Sequence, residues 1–371
     1  MAPTGAQTSG TLAKPPNALR PQAYLLVASS TGSTSALAVE PAGLHGAVMH
    51  AEILASAAVQ GGVFTRRQAY ATGITERQLK TALQPRGAWV VVRRGVYAER
   101  ATWEAAGTSG QHLMRVRAAV LNAEAAYVVS HSSAAVLHGL DCRPHWSELV
   151  HLSHPGVRGG RTESGVKHHP ADVPPLQVVE VHGLDATSLA RTAVDIAREH
   201  GTEDGVVVMD RVLARGVPRG AIRLVLEAMA YWPHVTSARA ALDLADPGAA
   251  NMAESLARLL VVELGLGRPQ TQVWIEDGSR RACVDLLLDG HVFEVDGKVK
   301  YVGEARGGFA PEAVEDALWN EKQREDWLRS LGFGVSRIVW ADLFGLRRRE
   351  TLARMGREFA ASQRWRTRRT G

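Results

Sequence analysis

Val284-Asp-Leu-Leu-Leu-Asp-Gly-His-Val-Phe-Glu-Val-Asp-Gly-Lys298 is the stretch that decides how the last third of the chain folds. Cys283–Leu288 reads as a strand, Asp289-Gly290 as a type I′ turn signal, and His291–Asp296 as the returning strand. Alternate residues of a strand share a face, so Glu294, Asp296 and Lys298 point the same way. Asp285, on the preceding strand, falls near the level of Glu294 or Asp296. Three carboxylates and a lysine therefore converge, while Leu286, Leu288, Phe293 and Val295 beside them are apolar. Charges at the centre of a sheet are costly unless paired or metal-bound. Clustered carboxylate oxygens suit Mg²⁺ or Mn²⁺. A lysine at such a site can orient the attacking water or help deprotonate it, and it offsets developing negative charge. The chemistry implied is metal-assisted hydrolysis of a phosphodiester. The competing reading of the same spacing is a surface hairpin with scattered charges and an ordinary Lys–Asp pair.

Outward from this hairpin, Ala253–Leu264 reads as a helix and Gln272–Ile275 as a short strand. Glu312–Leu331 reads as a long helix capped by Gly332, and Val335–Trp340 as a fourth strand. Helix, three-strand meander, helix and strand make one α/β unit over 248–345. It begins at the Asp246-Pro-Gly248 breaker and is followed by an Arg-rich tail over 346–371. At the other end, Ala51–Val59 reads as a helix. Thr65 caps a second helix at Arg66–Ala71, and Thr75 caps a third at Glu76–Gln84. Gly87 to Tyr97 then holds a strand, an Arg-Arg-Gly turn and another strand. Helix, helix, turn, helix, hairpin is the order of a winged helix-turn-helix over 49–100. The exposed face of its third helix (Arg77, Gln78, Lys80, Thr81) would read bases or phosphates, with Arg66 and Arg67 nearby. Arg93 and Arg94 at the hairpin tip would grip the backbone. A protein-interaction module is the alternative use of the same fold. Residues 1–48 read as disordered, and Met49 is an alternative initiator because the first helical pattern starts right after it.

The 371 residues carry a net charge of +5, which conceals an uneven distribution. Thr65–Arg100 holds eight Lys/Arg and two Glu, a net +6, and Leu346–Gly371 holds nine Arg and two Glu, a net +7. The rest of the chain is therefore acidic, at −8. Two basic blocks on an acidic body point to a polyanion partner, here DNA. Two cysteines (Cys142 and Cys283) exclude a disulfide scaffold and a Cys-rich zinc module. No apolar run approaches ~18 residues, so a membrane partner is not expected and the chain reads as cytoplasmic.

Between the two ends, 101–247 mixes helical patterns (His112–Ala125, Ser188–His200, Gly205–Arg215) with a strand at Gln177–Val181. Pro155–Pro175 reads as a polar, Gly-rich loop. Seven histidines (131, 138, 145, 151, 154, 168, 169) crowd this region. Imidazole is a common zinc ligand, but their spacing matches no ligand pattern, and the reading is one of loop or structural histidines. Ser130-His131-Ser132 is no hydrolase triad, since no strand–turn–helix elbow surrounds it.

Glu254 to Leu343 resembles the PD-(D/E)xK nuclease superfamily, in particular the branch related to very short patch repair endonucleases. The matching pieces are Glu254 in Ala-Glu-Ser-Leu-Ala-Arg-Leu, Val284-Asp285, Glu294-Val-Asp296-Gly, the helix from Glu321 through Gly332-Phe, and Val335–Trp340. The resemblance implies a restriction-endonuclease-like α/β domain with a Mg²⁺ or Mn²⁺ held by Asp285 and by Glu294 or Asp296. Glu254 would contribute from the helix. The residue two after Glu294 is Asp296, not the superfamily's lysine. Either Asp296-Gly-Lys298 is the working acid-x-Lys unit, or Lys298 has moved along the same face.

The first two regions resemble the AbiEi-like antitoxins of type IV toxin–antitoxin systems. The likeness lies in Gly62–Ala69, Gly73-Ile-Thr, Arg93–Tyr97, the Ser130-His-Ser-Ser-Ala-Ala-Val-Leu-His-Gly-Leu segment and Thr187–Arg198. This implies an AbiEi-like middle domain over 101–247, DNA as partner and a cognate toxin as another. The expected fold is thus multidomain α/β (α+β). The leading function is a metal-dependent endonuclease in phage defence or DNA repair. Its rival is a non-catalytic type IV antitoxin and autorepressor with a degenerate nuclease fold.

Overall fold

The computed structural model describes residues 51–121, 123, 126–141, 143–156, 159–278, 280–296 and 311–370. The expected disorder of 1–48 and the position of Lys298 lie outside the described residues. The protein is mixed α/β. It divides into two compact units, Met1–Ser188 and Leu189–Gly371. Among the described residues no helix is long and apolar enough to cross a membrane.

The first unit opens with helix α1 (51–59), β1 (Val63–Thr65), α2 (Arg66–Ala71), α3 (Glu76–Ala82), β2 (Trp89–Arg93) and β3 (Val96–Glu99). The two threonine caps form as their chemistry requires. Thr65 accepts from the Gln68 N–H while Gln68 Oε1 accepts from the Thr65 N–H, and Thr75 and Gln78 repeat the exchange. Each box satisfies two orphan helix donors and stabilises its helix by about 1 kcal/mol. The three strands pair antiparallel in the order β1-β3-β2. Phe64, Leu79, Trp89 and Tyr97 form the core between this sheet and the helices, with Phe64 meeting Trp89 edge-on at 4.9 Å.

After α4 (Arg100–Ala105) and α5 (Gly107–Leu121) comes a six-stranded sheet in the order β6-β7-β5-β4-β9-β8. Its strands are β4 (Val128–Val129), β5 (Val150–His154), β6 (Arg161–Glu163), β7 (Val166–Pro170), β8 (Val178–Val181) and β9 (Leu184–Thr187), and α6 (His131–Leu137) follows β4. Pro155–Pro175, expected as a loop, holds at its centre the β6–β7 hairpin of Arg161–Pro170, turned by Ser164-Gly165 with φ of +50° and +76°. Its strands are short and polar because β6 is an edge strand exposed throughout, so neither apolar alternation nor an apolar run marked it.

The second unit begins with α7 (Leu189–His200), α8 (Thr202–Ala214), α9 (Arg219–Ala228), α10 (Val235–Leu244) and α11 (Met252–Glu263). Gly205 is where α8 crosses its neighbours: an added Cβ would sit 2.4 Å from the Ala197 Cβ and 2.8 Å from the Ala241 Cβ. Gly205→Ala is therefore expected to destabilise the unit by about 1–3 kcal/mol through overpacking, although alanine is the better helix former. Urea denaturation of the two proteins measures it, and an unchanged midpoint would contradict the close approach.

The boundary read at Asp246-Pro-Gly248 falls inside this unit. Asp246 donates its N–H to Asp210 Oδ1 at 2.6 Å, and Gly248 donates to Asp246 Oδ1 at 2.8 Å. A turn stitched to α8 in this way is a corner, not a linker. Beyond it lie β10 (Gln270–Glu276), β11 (Arg281–Leu288), β12 (His291–Asp296), α12 (Pro311–Ser330), β13 (Gly334–Val339) and α13 (Gly345–Thr370). The sheet order is β10-β11-β12-β13, antiparallel as far as β12, and β13 runs parallel to β12. A parallel neighbour needs a crossover, and α12 lies in it. Asp289 and Gly290 take φ of +45° and +72°, as a type I′ turn demands.

The Arg-rich stretch belongs to this fold over its described residues, 346–370. On α13, Thr351, Met355 and Phe359 are buried. His291 from β12 lies between Ser362 (2.9 Å) and Ser336 (2.8 Å). Burial in that contact depresses the His291 imidazole to about 4, so it stays neutral at physiological pH. Arg348 pairs with Glu203 and Glu263, Arg354 with Glu358 and Asp342, and Arg347 with Asp342. Arg349, Arg357, Arg364 and Arg368 stay exposed.

Candidate functional site

The acidic residues of the opening hairpin meet at one end of the β10–β13 sheet. The β11–β12 register pairs Leu286 with Phe293, and beyond that pair the Asp285 side chain takes over from the backbone ladder. Its Oδ2 accepts the Val295 N–H at 2.8 Å. Asp285 thereby sits beside Glu294, resolving the two levels open in the sequence.

Glu254 arrives from the first turn of α11, where Asn251 caps the helix through the Glu254 N–H. It is 5% exposed, and its Oε1 accepts from the Asn251 side-chain amide at 2.7 Å. Its Oε2 accepts from the Ala250 N–H (2.7 Å) and from Gln272 Nε2 (2.9 Å). Burial raises its carboxyl above the ordinary range, opposed by the Ala250 N–H and reinforced by the Asp285 charge.

Gln272 joins the two carboxylates. The same Nε2 lies 3.5 Å from Asp285 Oδ1, and Gln272 holds a left-handed φ of +49° in the middle of β10. Such a backbone costs of order 1–3 kcal/mol and persists where surrounding contacts impose it.

Glu294 has the most strongly shifted carboxyl of this group. Burial pushes its carboxyl up to about 8; Arg324 opposes the shift, and the Asp285 carboxylate beside it adds to it. Arg324, from α12, reaches Glu294 Oε1 at 2.9 Å and also donates to the Cys283 carbonyl. Asp296 is met by Arg337 of β13 at 3.4 Å, and Arg337 continues to Glu321 (3.2 Å) and Glu325 (3.5 Å) on α12. Cys283 donates to Gln272 Oε1 at 3.4 Å; burial raises its thiol, which stays protonated at neutral pH and is a poor nucleophile.

The structure thus brings Glu254, Asp285 and Glu294 into one hydrogen-bonded and electrostatic group and sets Asp296 beside it. The sequence reading missed Gln272, Arg324 and Arg337. The two arginines lie in segments quoted for their resemblance, but basic residues on a long helix and an outer strand carry no local mark of turning inward. As a donor set, the carboxylate oxygens of Asp285 and Glu294 fit a hard divalent cation, which would offset the charge that burial and the neighbouring carboxylate make costly at Glu294. The two arginines already supply part of the positive charge that such a cation would bring.

On the first unit, Arg66, Arg67, Arg77, Gln78, Lys80 and Thr81 are all exposed. Several have internal duties. Arg66 Nε donates to the Tyr97 hydroxyl at 3.1 Å, Gln78 is spent in the capping box, and Lys80 pairs with Glu76 at 2.9 Å. Thr81 donates to the Arg77 carbonyl at 3.0 Å. Of the hairpin-tip arginines, Arg94 is exposed, whereas Arg93 is half-buried and donates to the Ser164 carbonyl at 3.2 Å, tying the β2–β3 hairpin to the β6–β7 turn. Arg77 and Arg67 keep the guanidinium face that a phosphate contact needs. Compared with known proteins, the sequence matches no protein-family model and no curated protein.

Proposed function

We propose that this protein binds DNA through a winged helix in residues 49–100 and that its second unit hydrolyses DNA phosphodiesters with Mg²⁺ or Mn²⁺. The observation that carries this reading is the meeting of Glu254, Asp285 and Glu294 around Gln272, with the Glu294 carboxyl raised to about 8. Strongly perturbed carboxyls beside a specific charge partner mark candidate catalytic sites. Asp285 and Glu294 would hold the metal, with Asp296 adjoining. The ion would polarise a phosphodiester oxygen and acidify a water. Glu254 holds the Gln272 amide against Asp285, Arg324 orients Glu294, and Arg337 orients Asp296. In the first unit, α3 enters the major groove with Arg77 and Lys80 foremost, and Arg94 and Arg67 meet the backbone.

One observation favours a second reading, a DNA-binding autorepressor of the antitoxin type whose nuclease-like unit has lost catalysis. Glu294 and Asp296 already answer to Arg324 and Arg337. Cleavage of plasmid, linear and single-stranded DNA with Mg²⁺ or Mn²⁺ separates the two. Asp285→Ala is expected to lower cleavage by about 100-fold or more, while Arg77→Ala/Lys80→Ala is expected to weaken DNA binding about 10-fold and flatten its salt dependence. Equal background cleavage from wild type and Asp285→Ala refutes the nuclease and leaves the repressor. Unchanged affinity at moderate salt in the double variant removes α3 as the recognition helix.

A further inference from the structure

Three of the seven crowded histidines come together once the six-stranded sheet forms. β5 and β7 run parallel with Ser153 opposite His169 and His151 opposite Lys167. Residues 151, 153, 167 and 169 therefore share one face, while His154 and His168 turn to the other, where both rings meet Tyr127. His131, at the start of α6, completes the first group. The ligand nitrogens of His131, His151 and His169 all lie within 4.8 Å of one another. His131 and His151 are buried and His169 half-buried.

We propose that these three imidazoles form a binding site for one Zn²⁺ ion. His151 Nδ1 and His169 Nε2 face each other at 3.0 Å, within a few tenths of the roughly 3.3 Å that tetrahedral Zn–N bonds of about 2.0–2.1 Å require. The His131 ring stacks on His169 with centroids 3.7 Å apart and an angle of 15°. Turning its nitrogen toward the other two is a rotation about χ2, a soft torsion for histidine.

The surroundings are those of ligands held in place. Ser130 Oγ lies 3.0 Å from His131 Nδ1 and accepts from the Ser153 hydroxyl at 2.8 Å. The His151 backbone N–H donates to Ser133 Oγ at 2.9 Å, which fixes the main chain beneath that ligand. A hydroxyl on a ring nitrogen, like that of Ser130, orients a ligating imidazole. His131 also holds a φ of +50°, unusual for a non-glycine residue and a mark of local strain that aims its side chain. Three imidazoles with a fourth position left for water or a further ligand is the donor set of an open zinc site. An ion there cross-links the start of α6 to β5 and β7.

Untagged full-length protein, stripped with chelator and dialysed against Zn²⁺, tests this by metal analysis and a competing chromophoric chelator. Wild type is expected to retain one Zn²⁺ per chain and to melt at higher temperature with Zn²⁺ than without. His169→Gln, at the half-buried position that best tolerates change, and His151→Gln are expected to lose both effects while keeping the wild-type far-UV circular dichroism. Asp285→Ala is expected to keep both, which separates this site from the acidic one. Failure of wild type to retain zinc overturns the proposal, as does retention that survives both histidine substitutions.

Discussion

Arg258→Ala is expected to destabilise the second unit by about 3–5 kcal/mol, the usual cost of removing one partner from a buried ion pair. Arg258 and Asp210 are 3% and 0% exposed, and Nη2 meets Oδ2 at 2.8 Å. Nη1 donates to the Leu244 carbonyl at 2.6 Å, and the other Asp210 oxygen accepts the Asp246 N–H. One guanidinium and one carboxylate thus join α8, the end of α10, the Asp246 corner and α11. Without Arg258, Asp210 is a buried acid whose charge loses its main compensation, since burial already raises its carboxyl and Arg258 is the leading force against that. At about 2–4 °C per kcal/mol for a unit of this size, the melting temperature should fall by about 10 °C. Arg258→Met/Asp210→Leu should recover most of the loss, because the two charges leave together. A fall in the single variant under 2 °C would refute the role assigned to the pair.

The second large effect concerns Glu294 and pH. Its carboxyl titrates near 4.5 in the unfolded chain and at about 8 in the folded one. The folded state therefore binds the extra proton between those values, and stability falls as pH rises through that window. The contribution is fully present below 4.5 and lost by about 8, an effect on the order of a few kcal/mol. Glu294→Gln keeps the shape and removes the titration. Its stability should lack the fall toward pH 8 that Glu294 imposes and keep the rise up to about pH 6.5 that the depressed His291 imposes, so that it gains on wild type toward the alkaline end. Chemical denaturation at several pH values measures this, and parallel pH profiles for the two proteins would refute it. If Mg²⁺ binds at Asp285 and Glu294 as proposed, adding it near pH 7.5 should release a proton from wild type and none from Glu294→Gln. That readout is independent of cleavage.

The acidic hairpin was legible because its signals are local. Asp289-Gly290 carries the positive-φ turn, strand alternation puts Asp285, Glu294 and Asp296 on one face, and Thr65 and Thr75 announce their helices by capping chemistry. The β6–β7 hairpin was not legible, since Arg161-Thr-Glu at an exposed edge has no apolar rhythm. That one gap hid the histidine group, for without β7 no alternation sorts His168 from His169. At Asp246-Pro-Gly248 the breaker residues marked a change of direction, and the packing adds that the turn is tied to α8 through Asp210.

Legible in the chain were the α/β character, the strands of the acidic hairpin, the two threonine caps and the shared face of Asp285, Glu294 and Asp296, because these follow from backbone sterics and periods of 2 and 3.6 residues. Tertiary structure alone decided the arginines. Nine of them stand in 346–371 with similar local surroundings, yet Arg348 and Arg354 are consumed by carboxylates of the fold, while Arg357 and Arg364 face solvent. It also turned Arg324 and Arg337 onto Glu294 and Asp296. Which charge meets which across tens of residues is a matter of long-range packing, and a Coulomb partner leaves no periodic trace in the chain.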